Sequence, residues 1–358
     1  MTGVPPPEPP EAGFDRYQRI PRKIATAITR TTSRLFTASS SGRGPSGARG
    51  VVAAPGYGCR DVETRIVDVD GPLDLGLTIG HLPRGVYDPR YLIDDEGFWR
   101  ATRTAEGPAT LNLKGTAGGV RARAWGPGAA LALAAAPALV GALDDPSVFE
   151  PKHPVLRDPW RRMRGLRLGR TGAVVEAMVP SIIEQKVTGR EAFRSYWALV
   201  RAYGERAPGP RDLLVPPAPH VLAELPYWAY HPLGIERKRA DTVKRVCARA
   251  ARMEEAASMP TAGAYRRLQA IQGVGPWTAA EVARDALGDP DAVSVGDYHL
   301  KNHVAWVLAG EPRATDERML ELLEPYRGQR ARAIRLIEAC PTPPRFGPRV
   351  KLRDIARM

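Results

Sequence analysis

The chain has 358 residues, of which 43% are hydrophobic, a length that suffices for two or three packed units with a sizeable core. No apolar run approaches the roughly 18 residues that a membrane-spanning helix needs, which argues against an integral membrane protein. The formal net charge of +13 favours an anionic partner, most often nucleic acid, although excess charge also keeps unrelated proteins soluble.

The cysteines lie far apart in the chain, at Cys59, Cys247 and Cys340. They form neither a zinc-binding CxxC pair nor the clustered cysteines of an iron–sulfur site. We therefore expect no metal and no other cofactor. Unpaired thiols suit a reducing compartment, so the sequence predicts a cytoplasmic protein.

Residues 1–58 are predicted to form a disordered basic tail rich in Pro, Ser and Gly, as in PPPEPP and SSSGRGPSGARG. The first fifty residues hold eight basic and three acidic side chains, so this stretch supplies +5 of the net charge. Within it, residues 20–36 could form a basic amphipathic helix on DNA, and their composition also resembles that of a transit peptide.

The next unit, residues 59–150, is predicted to be rich in antiparallel strands. Apolar side chains alternate with polar or glycine residues at positions 73–79, 110–114 and 120–125, which is the pattern of half-buried strands. An Ala/Leu-rich helix is predicted to follow at residues 129–143. Because this unit contains no catalytic constellation, we interpret it as a scaffold.

Residues 151–340 are predicted to form a mainly helical unit, and residues 341–358 a Pro/Arg-rich tail. The unit opens with a Pro-broken basic connector, and a strongly apolar helix follows between Val174 and Val187, interrupted or restarted at Pro180. Further helices are predicted at residues 193–203, 239–253, 298–308, 316–323 and 328–339.

A helix-hairpin-helix motif is predicted in the middle of this helical unit. Leu268 and Ile271 close one helix, the turn Gly273-Val274-Gly275 follows, and Pro276 occupies a favourable first position of the next helix. A glycine turn at a helix N-terminus exposes unpaired backbone N–H groups, which suit a phosphate oxygen. The alternative is an ordinary helical hairpin whose glycines only permit the turn.

Two motifs carry a family resemblance: GVGPWTA at 273–279, and DYHLK at 297–301. At this spacing the chain resembles the helix-hairpin-helix DNA glycosylases, and most closely the bacterial 3-methyladenine DNA glycosylase II type. The resemblance implies an α+β fold, in which a small antiparallel-strand-rich N-terminal domain precedes a mainly α-helical glycosylase core. It also implies that the protein is a monomer that acts on damaged bases in double-stranded DNA.

Asp297 is the catalytic candidate under this resemblance. Loss of a base leaves positive charge on the deoxyribose, and a fixed carboxylate can stabilise that charge and orient or deprotonate water. An alternative role is to cap a helix that begins at Tyr298. Bifunctional members of the superfamily carry a nucleophilic lysine where this chain has Trp277, so the resemblance implies hydrolysis without strand cleavage.

The resemblance also assigns a base pocket to Trp277, Tyr298, Tyr326 and Glu281. Aromatic faces suit an electron-poor or cationic base, although each of these aromatics could instead be packed in the core. Glu281 departs from the family pattern, which has an aromatic at this position. A carboxylate there would favour a cationic base, and the alternative is a surface ion pair with Arg284 or Arg332.

Gln185 and Lys186 match the family segment that fills the gap left by a flipped base. Lys186 departs from the pattern because stacking favours an apolar wedge, although its aliphatic stem could fill the gap. The alternative is a solvated lysine at a helix end. The sequence thus predicts a glycosylase for alkylated purines such as 3-methyladenine and 7-methylguanine. A glycosylase for oxidised or deaminated purines and a non-catalytic DNA-binding protein remain open.

Overall fold

A computed structural model of the chain describes residues 63–345 and residue 355, so the predicted disordered tail at residues 1–58 lies outside the described residues. The N-terminal unit is built on a five-stranded antiparallel sheet in the order β1-β5-β4-β3-β2. The strands are β1 (Glu63–Asp68), β2 (Tyr91–Asp94), β3 (Gly97–Thr104), β4 (Gly107–Thr116) and β5 (Gly119–Trp125).

The alternation predicted from the sequence decides which face of this sheet is buried. In β5, Val120, Ala122 and Ala124 are fully buried, whereas Arg121 and Arg123 on the other face are only partly so. Helix α2 (Ala129–Leu139) covers the buried face and joins its apolar side chains in one core cluster. The strands predicted at 110–114 and 120–125 and the helix predicted after them are therefore confirmed.

The strand predicted at residues 73–79 is wrong, because these residues form a short helix, α1 (Leu75–Ile79). The Asp74 carboxylate accepts a hydrogen bond of 3.0 Å from the Leu77 backbone N–H, which caps the first turn. The Asp74 backbone N–H donates to the carbonyl of Gly165 at 2.8 Å, so it pairs with a loop instead of a strand. The alternation of leucine with small residues predicted a strand here, because it gives no sign that Asp74 caps a helix.

The remainder of the described chain is mainly helical, as predicted. One correction is a two-stranded ladder of β6 (Glu205–Arg206) and β7 (Leu214–Val215), and a second is a break in the helix predicted at 239–253. The helices are α3 (Arg157–Arg162), α4 (Val174–Ile183), α5 (Gly189–Tyr203), α6 (Pro219–Glu224), α7 (Tyr227–Tyr230), α8 (Arg237–Cys247), α9 (Ala250–Glu254), α10 (Thr261–Gln269), α11 (Pro276–Val282), α12 (Leu300–Ala309), α13 (Asp316–Leu323) and α14 (Arg330–Ile337).

Helix α4 is the centre of the helical unit, since nearly all of its residues are buried. Apolar side chains from α5, α8, α10 and α11 pack around it in one core cluster, and α12, α13 and α14 contribute to a second. Within residues 63–345 we find no helix with both the length and the apolar content that crossing a bilayer requires.

A buried ionic contact joins α4 to the N-terminal sheet. The Glu176 carboxylate accepts hydrogen bonds from Arg90 at 3.2 Å, from Arg100 at 3.0 Å and from the Thr102 hydroxyl at 2.6 Å. Burial raises the pKa of Glu176, but Arg100, Arg90 and the hydrogen bonds outweigh burial and hold that pKa below its ordinary value. The charged carboxylate therefore stabilises the contact between the two units.

We expect Glu176→Gln to lower the free energy of unfolding by about 3–5 kcal/mol, because it leaves the buried Arg100 guanidinium without its carboxylate partner. Because the pKa of Glu176 is lower in the folded than in the unfolded protein, its charge stabilises the fold fully above the unfolded pKa. This stabilisation is lost as the pH falls through the folded pKa. The variant should therefore lose less stability than wild type below about pH 4.3, the ordinary glutamate pKa.

Urea unfolding across pH measures both effects. The exposed Glu224, changed to Gln, is the matched control and should change neither the free energy of unfolding nor its pH dependence. Equal acid sensitivity of Glu176→Gln and wild type would show that this carboxylate does not stabilise the contact through its charge.

Candidate active site

The hairpin between α10 and α11 has the predicted tight turn, with Gly273 at φ 99°. A Cβ atom at Gly273 would lie 2.3 Å from the hydroxyl oxygen of Thr242, so the turn requires glycine for its space as well as for its conformation. Gly275 has an extended backbone with φ −97°, and open space surrounds the position of its Cβ. Only the first of the two glycines therefore needs the left-handed conformation.

Two contacts hold the hairpin in place, one with the helical core and one with an arginine of α8. Val274 is 6% exposed and packs in the main helical core. The Arg245 guanidinium donates to the Gln272 carbonyl at 3.1 Å. Pro276 is the first residue of α11, as predicted, and Gly275 supplies no side chain to cap the helix. The hairpin surface thus presents backbone at the start of α11.

Asp297 lies beside this hairpin and has a defined set of donors. Its Oδ1 accepts from the backbone N–H groups of His299 at 2.8 Å and Leu300 at 2.9 Å. Its Oδ2 accepts from the indole N–H of Trp277 at 3.1 Å. The helix begins at Leu300 with His299 as its N-cap, so the prediction that Asp297 caps a helix beginning at Tyr298 is wrong, although its carboxylate binds the backbone at the start of α12. One carboxylate is therefore bonded both to α12 and to the second helix of the hairpin.

The predicted pocket aromatics lie in three different environments. Trp277 is half-buried and contacts Asp297, whereas Tyr298 is 65% exposed and stands edge-on to the ring of His299. Tyr326 is 3% exposed, stacks on Phe149 and accepts a hydrogen bond from the His153 backbone N–H at 2.9 Å. Core packing thus describes Tyr326, and the contact of these rings with a base stays a prediction.

Glu281 is buried, with 1% of its surface exposed. Arg284 donates to both carboxylate oxygens, at 3.2 and 2.9 Å, and the Ser294 hydroxyl donates to Oε1 at 2.7 Å. The predicted pair with Arg284 therefore exists, but the expectation that it lies on the surface is wrong. Because Arg284 balances its charge, Glu281 is not an isolated negative group, and its place in a base pocket stays a prediction.

Ser294 links Glu281 to the loop that carries Asp297, a contact that the sequence did not reveal. Its hydroxyl binds Glu281, and its carbonyl accepts from the backbone N–H of Asp297 at 3.1 Å. The loop before α12 is thus attached to α11 at two points one helical turn apart, through Trp277 and through Glu281. These two attachments fix the position of the Asp297 carboxylate relative to the hairpin.

A buried charge network continues from this point to the N-terminal unit. Arg284 pairs with Asp285 at 3.0 Å, Asp285 with Arg84 at 2.9 Å, and Arg84 with Glu184 at 3.1 Å. Burial raises the pKa of Asp285, but Arg284 and Arg84 hold it well below its usual range. Burial and Arg335 lower the pKa of His81, beside Asp285, to about 4, so this imidazole is neutral at pH 7.

The segment after α4 holds Gln185 and Lys186, which are predicted to fill the gap left by a flipped base. This segment lies against the hairpin. The Gln185 amide donates to the carbonyl of Gly273 at 2.9 Å and to the hydroxyl of Thr278 at 2.8 Å. Lys186 is exposed, and with φ 56° it is the one non-glycine residue with positive φ in the described part of the chain. The two residues therefore lie next to the predicted DNA-binding turn.

No group of three or more His, Cys, Asp or Glu side chains within residues 63–345 is arranged to hold a metal ion. Cys247 and Cys340 are buried and form no disulfide with each other. Burial raises the pKa of the Cys247 thiol to about 12, which makes it a poor nucleophile.

No family model matches the chain, but curated relatives match part of it. The provisionally named DNA-3-methyladenine glycosylase YfjP of Bacillus subtilis is 26% identical over 161 residues, which are 43% of this chain and 55% of that protein. A provisionally named bifunctional transcriptional activator and DNA repair enzyme, AlkA of Mycobacterium tuberculosis H37Rv, is 32% identical over 155 residues, 41% of this chain and 30% of that protein. The chain thus matches only part of each relative.

Solved structures show the same fold over most of the chain. The 3-methyladenine DNA glycosylase of Archaeoglobus fulgidus superposes with a TM-score of 0.64 over 76% of this chain and 96% of that protein, at 15% identity. The 8-oxoguanine glycosylase/lyase of Clostridium acetobutylicum, solved with double-stranded DNA, gives 0.59 over 78% and 96%, at 13% identity. In its fold and its hairpin the chain resembles the helix-hairpin-helix DNA glycosylases, and the curated relatives that match part of it carry glycosylase or DNA repair names.

Proposed function

We propose that this protein is a monofunctional DNA N-glycosylase that removes alkylated purines from double-stranded DNA. The observation that carries this proposal is the hydrogen bond between Trp277 and Asp297, which places a carboxylate beside the hairpin. A hairpin that binds only phosphate has no need of a carboxylate held in this way. The proposal therefore favours an enzyme over a non-catalytic DNA-binding protein.

The hairpin is proposed to bind a phosphate next to the damaged nucleotide. The backbone around Gly273 and Gly275 is accessible, and the N-terminus of α11 lies directly after it. Backbone N–H groups and the helix dipole both favour a negative oxygen at such a position. Binding there would anchor the strand while the damaged nucleotide leaves the base stack, which costs a few kcal/mol and less for a damaged base.

Asp297 is proposed to act on the deoxyribose of the flipped nucleotide. The bond between C1′ and the purine nitrogen breaks, and its electron pair leaves with the base. The positive charge that develops at C1′ and the ring oxygen is stabilised by the carboxylate. Water then adds to C1′ and transfers its proton to Asp297 or to solvent, which leaves an abasic site.

Alkylated purines are the proposed substrates because a methyl group on a ring nitrogen makes the base cationic or electron-poor and a better leaving group. Such a base is attracted to an aromatic face, and Trp277 offers one next to Asp297. The names of both glycosylase relatives, YfjP and the Archaeoglobus enzyme, support this substrate class. Oxidised or deaminated purines are the alternative substrates.

We expect Asp297→Asn to bind abasic-site DNA nearly as well as wild type but to lose on the order of 100- to 1,000-fold in excision rate, since the amide keeps the shape without the charge. Single-turnover assays on duplexes with 3-methyladenine, 7-methylguanine, hypoxanthine or 8-oxoguanine would measure both this loss and the substrate class. The exposed Asp212, changed to Asn, is the matched control. Wild-type turnover by the Asp297 variant would refute the catalytic assignment.

The product strand should remain intact after base removal, because no lysine occupies the position of Trp277 and water is the proposed nucleophile. Borohydride added during the reaction should trap no covalent protein–DNA adduct, and cleavage should need alkali or heat. A glycosylase/lyase run in parallel shows that the trap works. A borohydride-trapped adduct would reveal an amine nucleophile and a bifunctional enzyme.

The two hairpin glycines should respond differently to alanine. Gly273→Ala should lower the unfolding free energy by at least about 1 kcal/mol, because a positive φ disfavours a side chain and the new Cβ meets Thr242. Gly275→Ala should leave the melting temperature unchanged and weaken DNA binding, since its methyl group would point into the space proposed for the phosphate. Thermal melting and titration with abasic-site DNA separate the two. Unchanged affinity in Gly275→Ala would argue against phosphate binding there.

A further inference from the structure

Three consecutive residues after α4 have sharply different environments. Glu184 is buried and pairs with Arg84 of the N-terminal unit at 3.1 Å. Gln185 points to the hairpin, and Lys186 is exposed to solvent. We call residues 184–186 the gap turn. Two of its residues are therefore anchored in the protein, and the third is presented outward.

Both donors of the Gln185 amide are engaged by the hairpin. One amide nitrogen with two hydrogens lies 2.9 Å from the Gly273 carbonyl and 2.8 Å from the hydroxyl of Thr278, which is itself 2% exposed. Gln185 could enter a DNA duplex only by giving up both bonds. These contacts instead join the gap turn to the two sides of the hairpin, its glycine turn and its second helix.

Lys186 adopts a backbone conformation that side chains disfavour, with φ 56°. Such a conformation persists where the surrounding structure holds it, and it is frequent at functional sites. Here the residues on both sides are fixed. Gln185 is bound to the hairpin, and Thr188 caps α5 through a reciprocal hydrogen-bond pair with Glu191. The chain thus holds Lys186 in a strained, outward position next to the hairpin.

We propose that Gln185 is a positioning residue that couples phosphate binding by the hairpin to insertion of Lys186 into the gap left by the flipped base. This inference rests on the proposed function. Because Gln185 bonds to the hairpin carbonyl at Gly273, any strand held by the hairpin lies at a fixed distance from Lys186. Gln185 then stays within the protein and acts through its neighbour.

The two hydrogen bonds that join Gln185 to the hairpin form a brace. Removal of this brace should slow excision only on substrates in which the lesion must be separated from a paired base. We compare 7-methylguanine opposite cytosine with 7-methylguanine opposite an abasic site, where no pairing has to be broken. Gln185→Leu should slow excision opposite cytosine on the order of tenfold, as misplacement of a reacting group does, and should leave the unpaired substrate within about twofold of wild type. Asp212→Asn, a change at an exposed site outside the hairpin, should alter neither rate.

A double-mutant cycle tests whether Gln185 acts through Lys186. Lys186→Gly removes the side chain and relieves the backbone conformation, and it should reproduce the selective loss opposite cytosine. The double variant should be no slower than Lys186→Gly alone, since the brace then has nothing to position. Losses that multiply, or equal losses on both substrates, would overturn the proposal.

Two further outcomes are distinguishable. If Gln185→Leu does not fold, Thr278→Val removes only one hydroxyl partner and should give the same selective loss, and its absence would count against the coupling. If wild type excises neither substrate while binding abasic-site DNA, the proposed function itself has failed. If wild type excises both substrates and Gln185→Leu does so at unchanged rates, the coupling role of Gln185 is refuted and the proposed function stands.

Discussion

The hydrogen bond from the Trp277 indole to the Asp297 carboxylate, 3.1 Å long, is the contact on which the arrangement of the site depends. It joins two elements that are each ordinary alone, a helix after a glycine turn and a capped loop. Helix α11 carries three such contacts in succession, from Trp277 to Asp297, from Thr278 to Gln185 and from Glu281 to Ser294. One short helix therefore fixes the carboxylate, the gap turn and the hairpin relative to one another.

The buried charges behind this helix extend the same constraint into the rest of the molecule. A charge removed from water is costly unless it is paired, and each carboxylate here has a guanidinium partner. Arg84 is the partner of both Asp285 and Glu184, and it comes from the N-terminal unit. The sequence predicts that this unit is a scaffold. Through Arg84 and the Glu176 contacts it supports the elements from which the candidate site is built.

Two failures of prediction have the same physical origin. Residues 73–79 alternate as a strand does, but Asp74 caps a helix there and bonds to the loop at Gly165. The alternative that places the Glu281 ion pair on the surface is also wrong, because Glu281 is buried against Arg284 and Ser294. In both places the outcome depends on a partner that local pattern does not identify. Alternation and helical spacing report exposure to solvent on average, and they do not report specific partners.

The sequence by itself determined the two-unit α+β organisation, the glycine turn and the candidate aspartate, because these follow from local spacing and from motifs whose backbone chemistry is nearly independent of context. It also identified Trp277 and Asp297 as residues to consider together. Only the tertiary structure decided that they touch, that Gln185 braces the hairpin, and that Arg84 pairs with Asp285, 201 residues away. Contacts of this kind depend on how whole elements pack, since burial in the common core fixes distances that no local pattern in the chain encodes.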